Sequence, residues 1–244
     1  MRSRTKLIGG LALAAASITV LGACSSSSTG GTTPAASGTP VTGGTAVLAE
    51  PPTTTPNYIF PFTSSAYISV INQSYLAFLM YRPLYWFGNG AQPTLNTALS
   101  IANPPTFSGN NVTITLKHYV WSNGSQVTAT DVMFWLNMEA AVGATDYGAY
   151  TGFPNTEISN LKVVSPTELT FTMNKAYNPQ WMLYNNLSQI TPMPAAWDLT
   201  AANTPGHCAT TISDCKAVYT YLDSQAKNMG GYVGSPLWSV VDGP

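Results

Sequence analysis

The sequence predicts a mixed α/β fold of the α+β kind. Three observations carry this. Val112 to His118 alternates, with Val112, Ile114 and Leu116 on one side and Thr113, Thr115 and Lys117 on the other. That is the period of a half-buried strand. Two other stretches, 68–80 and 129–142, space their apolar residues at helical intervals. Strand-like and helix-like segments interleave without a regular βαβ rhythm, and no internal repeat is present.

The elements follow in chain order. Gly44 to Glu50 reads as a first strand, and Pro51 to Pro61 as an extended, Pro-rich stretch. From Ile68 to Met80 the apolar positions 68, 71, 75, 78 and 79 predict an amphipathic helix, ended by Arg82-Pro83. The alternating strand 112–118 is followed by a turn at Asn123-Gly124. Thr128-Ala129-Thr130-Asp131 resembles a capping box with Asp in the Glu position. A helix is expected from about Ala129 to Val142, with Val132, Trp135 and Leu136 on one face. Leu161 to Val164 and Glu168 to Met173 read as a hairpin around Ser165-Pro166-Thr167. Pro192 and Pro194 break the chain, and Asp214 to Ala226 is a further helix.

Composition narrows the function. Of 244 residues 45% are apolar and 11% aromatic, so most of the chain can fold around a core, while only 8% are charged. The net charge of −1 leaves no basic excess to neutralise phosphates, which argues against nucleic-acid binding. Met1 to Ala23 reads as a signal peptide: Arg2, Arg4 and Lys6 precede an apolar run, Leu7 to Val20, too short and too rich in Gly and Ala for a good membrane span. Leu21-Gly22-Ala23-Cys24 matches a bacterial lipobox, in which the Cys24 thiol receives the diacylglycerol before cleavage. Removing residues 1–23 takes away three of the nine basic residues and no acidic one, so the mature chain is mildly acidic. Ser25 to Gly43 is a Ser/Thr/Gly/Pro tether that would hold the folded part off the membrane. Cys208 and Cys215, seven positions apart in an exported chain, read as a local disulfide; a metal pair with His207 is the alternative.

Catalytic patterns are scarce. There is no G-x-S-x-G elbow, zinc-binding H-E-x-x-H or P-loop. Ser224-Gln225-Ala226-Lys227 fits S-x-x-K but has no K-T-G partner, and the ten carboxylates form no obvious acid/base pair. Of the two histidines, His118 continues the apolar side of its strand as a packed or edge residue, and His207 sits in an exposed loop. What the chain has is aromatics among Ser, Thr and Asn: Tyr81, Tyr85, Trp86, Phe87, Tyr119, Trp121, Tyr147, Tyr150, Trp181, Tyr184 and Trp197. Such walls suit a ligand site, though most are expected to be core.

The stretch from Tyr119 to Leu136 (YVWSNGSQVTATDVMFWL) is similar to the W-S-D-G-x-P-V-T-A-x-D-V-x-F signature of the family 5 solute-binding proteins, with Asn123 for Asp and Gln126 for Pro. Tyr58 to Phe62, Tyr81-Arg82-Pro83-Leu84, Thr167 to Met173, Ile190 to Pro194 and Pro236 to Pro244 fall in the family's order. The resemblance covers about residues 44–244 and implies a periplasmic-binding-protein type II-like first lobe, with an inner subdomain at about 65–158. It implies that the second lobe is absent and that residues 24–244 alone bind peptide weakly. It implies a lipid-anchored, extracytoplasmic receptor on the outer face of the cytoplasmic membrane. Such a receptor closes on oligopeptides or similar small solutes between two lobes and delivers them to the permease and ATPase subunits of an ABC importer. No enzyme activity and no cofactor are implied. The cleft-lining stretch corresponds to Ser64, Ser65, Ala66 and Tyr67, and a family tyrosine near the peptide corresponds to Tyr147 or Tyr150. Trp121, Ser122, Asn123, Gly124 and Asp131 are read as turn, cap and core. A surface hydrolase or a stand-alone surface binding module is the alternative.

Overall fold

A computed structural model describes residues 45, 47, 49, 56–88, 93–147, 152–227 and 237. Their elements belong to one compact unit, Ala49–Pro244. Its order begins with a short turn, Ser65–Tyr67, and a wide π-helix, Ile71–Ala77, that runs into α1 (Phe78–Met80). Strands β1 (Thr106–Ser108) and β2 (Asn111–Thr115) follow, then α2 (Ala129–Met138), which continues as a second π-helix, Glu139–Tyr147. Strands β3 (Ile158–Ser165) and β4 (Glu168–Met173) form the hairpin. Helix α3 (Pro179–Trp181) passes into further turns, Met182–Asn186 and Leu187–Gln189. The short pair β5 (Leu199–Ala201) and β6 (Thr204–Pro205) and then α4 (Cys215–Ala226) complete the unit. Helix and sheet together make the mixed α+β fold that the sequence predicts. The expected strand at 44–50, the signal peptide, the tether and Cys24 lie outside the described elements.

The main sheet is antiparallel, in the order β1-β2-β4-β3. Register follows side-chain alternation: Val112 pairs with Phe171 and Ile114 with Leu169, and all four are buried on one face. A one-residue slip would turn that whole set to solvent. Leu116 is still buried and bridges Ala102, but strand pairing stops at Thr115. The alternation therefore ends before His118, which is exposed rather than packed on the apolar side.

The expected capping interaction forms. Asp131 Oδ2 accepts from the Thr128 backbone N–H at 2.7 Å and from the Thr128 hydroxyl at 3.1 Å. The buried Trp121 indole N–H lies 3.4 Å from the same oxygen. Burial raises the Asp131 carboxyl above its ordinary range, and these bonds oppose the rise. The Asp131 carbonyl accepts from Met193 N–H, and the Pro166 carbonyl accepts from Ala129 N–H, so the start of α2 is tied to the 193 segment and to the hairpin turn. Val132, Phe134, Trp135, Leu136 and Met138 are all buried.

The helix read at 68–80 is displaced and turned. Phe78 and Leu79 are 55% and 67% exposed, and Ile68 is also exposed, while Asn72 is buried. The wide turns explain this. In a π-helix the hydrogen bonds run i to i+5, so residues three and four apart no longer stack on one inward face.

The core is rich in rings. Phe62 meets Trp135 edge-on at 6.0 Å and Tyr219 of α4 at 5.9 Å. Phe60 meets Trp197 edge-on at 5.9 Å, and Trp197 in turn donates its indole N–H to the Leu237 carbonyl at 2.8 Å. Cys208 and Cys215 form a disulfide with Cα atoms 4.4 Å apart. Asp198 accepts from the N–H groups of Cys208 and Ala209, both at 3.0 Å.

Replacing Trp135 by Ala removes a fully packed side chain that several elements share. The expected cost is about 3–5 kcal/mol. It is read as a fall in the urea midpoint with an unchanged slope; a loss under about 1 kcal/mol would contradict the packing described.

Candidate functional site

The segment Asn57 to Tyr67 leaves the core and turns at the surface. Phe60 and Phe62 anchor it from inside. Thr63 is buried, Ser64 and Tyr67 are half-buried, and Ser65 and Ala66 are exposed. The turn is closed by Tyr67 N–H donating to the Ser64 carbonyl at 2.8 Å. The Tyr67 ring stacks on Tyr58 with centroids 4.9 Å apart. Thus the four residues Ser64 to Tyr67, singled out by resemblance, form one exposed turn on a rigid base.

That base depends on Asn72, which is only 2% exposed. Its side-chain N–H groups donate to Asn57 Oδ1 at 2.8 Å and to the Tyr67 carbonyl at 2.7 Å. Its own Oδ1 accepts from Asn57 N–H at 3.0 Å. A buried amide with its hydrogen bonds made fixes geometry well, and one left unpaired would be costly. Sequence reasoning missed Asn57 and Asn72. The available signal was a polar Asn inside an otherwise apolar helical stretch.

Tyr58 supplies the second anchor. Its buried hydroxyl donates to Asp223 Oδ1 at 2.9 Å. Burial, and then the neighbouring Tyr219 and Asp223, push its ionisation above the ordinary tyrosine range. Asp223 Oδ2 accepts from Lys227 Nζ at 2.6 Å, an exposed pair one helical turn apart.

A groove of about 260 Å³ is lined by Pro61, Gln73, Phe78, Tyr81, Gln189 and Thr191 among others, with no charged residue among the described lining residues; the turn residues 64–67 do not line it. Its walls offer ring and proline surface with amide and hydroxyl groups. That combination suits a neutral polar ligand. Gln189 is held by donating to the Asn185 carbonyl, so this wall is preorganised.

The other expected site residues are not brought to this turn by any described contact. Tyr147 ends the π-helix that follows α2, and Tyr150 lies outside the described residues. Tyr81, Tyr85, Trp121 and Trp197 are core, Trp86, Phe87, Tyr119 and Trp181 are half-buried, and Tyr184 is exposed. His207 is exposed beside the disulfide. Among the described residues no group of His, Cys, Asp and Glu could hold a metal ion, and no helix is long and apolar enough to cross a membrane.

One carboxyl stands apart. Glu139 is 4% exposed, and its Oε2 has no hydrogen-bond partner. Burial alone raises it to about 8.

Comparison with known proteins adds the following. The family model described as bacterial extracellular solute-binding proteins, family 5, middle region, matches residues 106–235. No curated protein sequence matches the chain. Among solved structures, the chain is similar to the oligopeptide-binding protein AppA from Bacillus subtilis in complex with a nonapeptide: 18% identity, 63% of this chain and 28% of that one, TM-score 0.44. It is similar to NikZ from Campylobacter jejuni in complex with Ni(L-His), at 20% identity over 57% of this chain and 25% of that one, TM-score 0.42. It is also similar to Listeria monocytogenes OppA bound to peptide, at 20% identity over 59% and 30%, TM-score 0.41. The chain thus spans about a quarter of the length of such structures.

Tyr58→Phe tests the anchoring of the turn. It deletes the hydroxyl, which donates to Asp223 and accepts from the Ser64 backbone, and keeps the ring stack. The expected loss is about 1–1.5 kcal/mol in urea unfolding. An unchanged midpoint would show that the Tyr58 hydroxyl, through Asp223 and Ser64, does not hold the segment.

Proposed function

The chain belongs to the bacterial extracellular solute-binding proteins of family 5, and from that premise we propose that it is the ligand-capturing part of a lipid-anchored receptor serving an ABC importer. Membership makes the role one of binding, not catalysis. The proposed ligand is an oligopeptide or a similar small solute, held first on this lobe and then delivered to the permease.

The observation that best supports this reading is the Ser64–Tyr67 turn, fixed by Asn72, whose neighbour Gln73 lines an uncharged groove with Pro61, Phe78 and Tyr81. A peptide backbone is a neutral strip of donors and acceptors. The surface offered by Ser65, Ala66, Gln73 and Thr191 matches that chemistry without demanding any charged side chain of the ligand. Breadth of ligand follows, since groups that read only the backbone do not discriminate among side chains.

Cys24 is the proposed lipidation site, and Ser25 to Gly43 the proposed tether. Acyl chains on Cys24 would hold the receptor at the outer face of the membrane, where two chains suffice for stable anchoring. Tyr147 and Tyr150 remain proposed ligand contacts.

Two experiments test the proposal. Titrating the mature chain with millimolar trialanine, followed by backbone chemical shifts, is expected to perturb Ser64 to Tyr67 and Gln73, with the response lost in Asn72→Ala. Shifts scattered over the surface, or none, would contradict the site. Replacing Cys24 by Ala is expected to move the protein from the membrane fraction to the medium. Retention at the membrane would contradict the anchor.

A further inference from the structure

The sheet order β1-β2-β4-β3 leaves β3 at an edge. Among the described residues, β4 is the one backbone that pairs with residues 159–165. The outward N–H and C=O groups of this strand are therefore open to another chain. An edge of this kind is read by main-chain hydrogen bonds from an extended segment, and neighbouring pockets select its side chains.

Beside the edge runs a groove of about 390 Å³, bordered by Leu161, Lys162 and Val163 of β3 and by Thr130, Met133 and Asn137 of α2. The helix residues are spaced three and four apart, so they form one stripe along the groove. Contacts outside the groove fix its walls. Ala129 N–H donates to the Pro166 carbonyl at 2.7 Å, which ties the head of α2 to the β3–β4 turn. Asn137 Nδ2 donates to the Cys208 carbonyl at 2.8 Å, and Asp198 accepts from the Cys208 and Ala209 N–H groups. The disulfide loop, whose Thr210 also lines the groove, is thereby held against α2. A groove built in advance spares its occupant the cost of ordering it.

Side chains along the edge alternate in character. Leu161 and Val163 are half-buried, whereas Lys162 is exposed. Lys162 is the one charged residue among the described lining residues, and among the described residues no ion pair engages it. A strand added to an edge sets its side chains beside those of its neighbour on the same face. Apolar side chains of the added strand would meet Leu161, Val163 and Met133, and acidic ones would meet Lys162. Register shifts flank the regular pair Lys162–Val163, between Ser159 and Lys162 and between Val163 and Ser165. They confine the straight edge to a short run and disfavour pairing of two copies of the chain along its whole length.

We propose that the β3 edge and the α2 groove form a docking site for a short extended segment of a partner protein, one in which acidic and β-branched residues alternate. The site shares no residue with the Ser64–Tyr67 turn or its neighbouring groove, so it stands whether or not the chain captures peptides.

The test titrates the full chain with the blocked pentapeptide acetyl-EVEVE-amide, followed by amide chemical shifts and hydrogen exchange. Shifts are expected at 161–163, Met133 and Thr210, with slowed exchange at alternate amides of 159–165, as an added strand requires. Lys162→Glu is expected to weaken binding about tenfold or more, since it sets like charges side by side. Two further peptides are N-methylated, one at its valines and one at its glutamates. Successive N–H groups of a strand point to opposite sides, so one form is expected to lose binding and the other to keep it. Asn72→Ala, which disables the proposed capture turn, is expected to leave this binding unchanged. The proposal is overturned if millimolar peptide causes no shift, or shifts only 64–67 and 73. It is equally overturned if Lys162→Glu binds as the native chain does, or if both methylated forms bind alike.

Discussion

The structure depends on a clasp of aromatic rings that closes over one short segment. Phe60 and Phe62, two residues apart on an extended stretch, send their rings among Trp135 of α2, Trp197 and Tyr219 of α4. These partners lie far along the chain. The clasp therefore joins elements that have no local reason to meet. Burying large rings supplies most of the driving force, and edge-on contacts add modest geometric preference. A chain with so few charged residues has few other ways to specify its long-range contacts. Because the clasp holds residues 60 and 62, the exposed turn at 64–67 inherits a fixed origin.

Three buried polar side chains show how differently the fold uses them. Asp131 accepts bonds from Thr128 and Trp121 and starts α2. Asn72 gathers Asn57 and Tyr67 and sets the surface turn. Both are satisfied, so both lend precision without an outstanding desolvation cost. Glu139 is the exception, with a buried Oε2 that no described residue bonds. A buried carboxyl oxygen left without a partner costs stability when the group ionises.

Much of the scaffold was legible in the residues. Strand β4 has the expected bounds, Glu168–Met173, because its alternation is long and the Pro166 turn fixes where it starts. The Thr128/Asp131 cap and the buried Val132, Trp135 and Leu136 were readable because spacing and capping agree there. The 68–80 helix was legible as a helix but not in its facing, since a periodicity reading assumes α-helical turns and the chain makes wider ones. The strands β1, β5 and β6 have two or three residues each. Segments that short carry no period to detect, and partners chosen in three dimensions decide them. His118 is an exposed edge residue rather than a packed one for a related reason: its strand ends before the pattern does. At the site, the turn 64–67 could be located only through family resemblance. Asn57 and Asn72 act through contacts fifteen residues apart, which no local pattern encodes.

The aromatic clasp holds the Ser64–Tyr67 turn in place. Hydrogen exchange of Phe62→Ala, compared with the native chain at one pH, tests it most directly. The account predicts at least a tenfold acceleration at residues 64–72, with the β2 and β4 amides unchanged, as expected if the turn opens as a local unit. Protection at 64–72 equal to that of the native chain would contradict the account, because the turn would then owe its position to something other than the clasp.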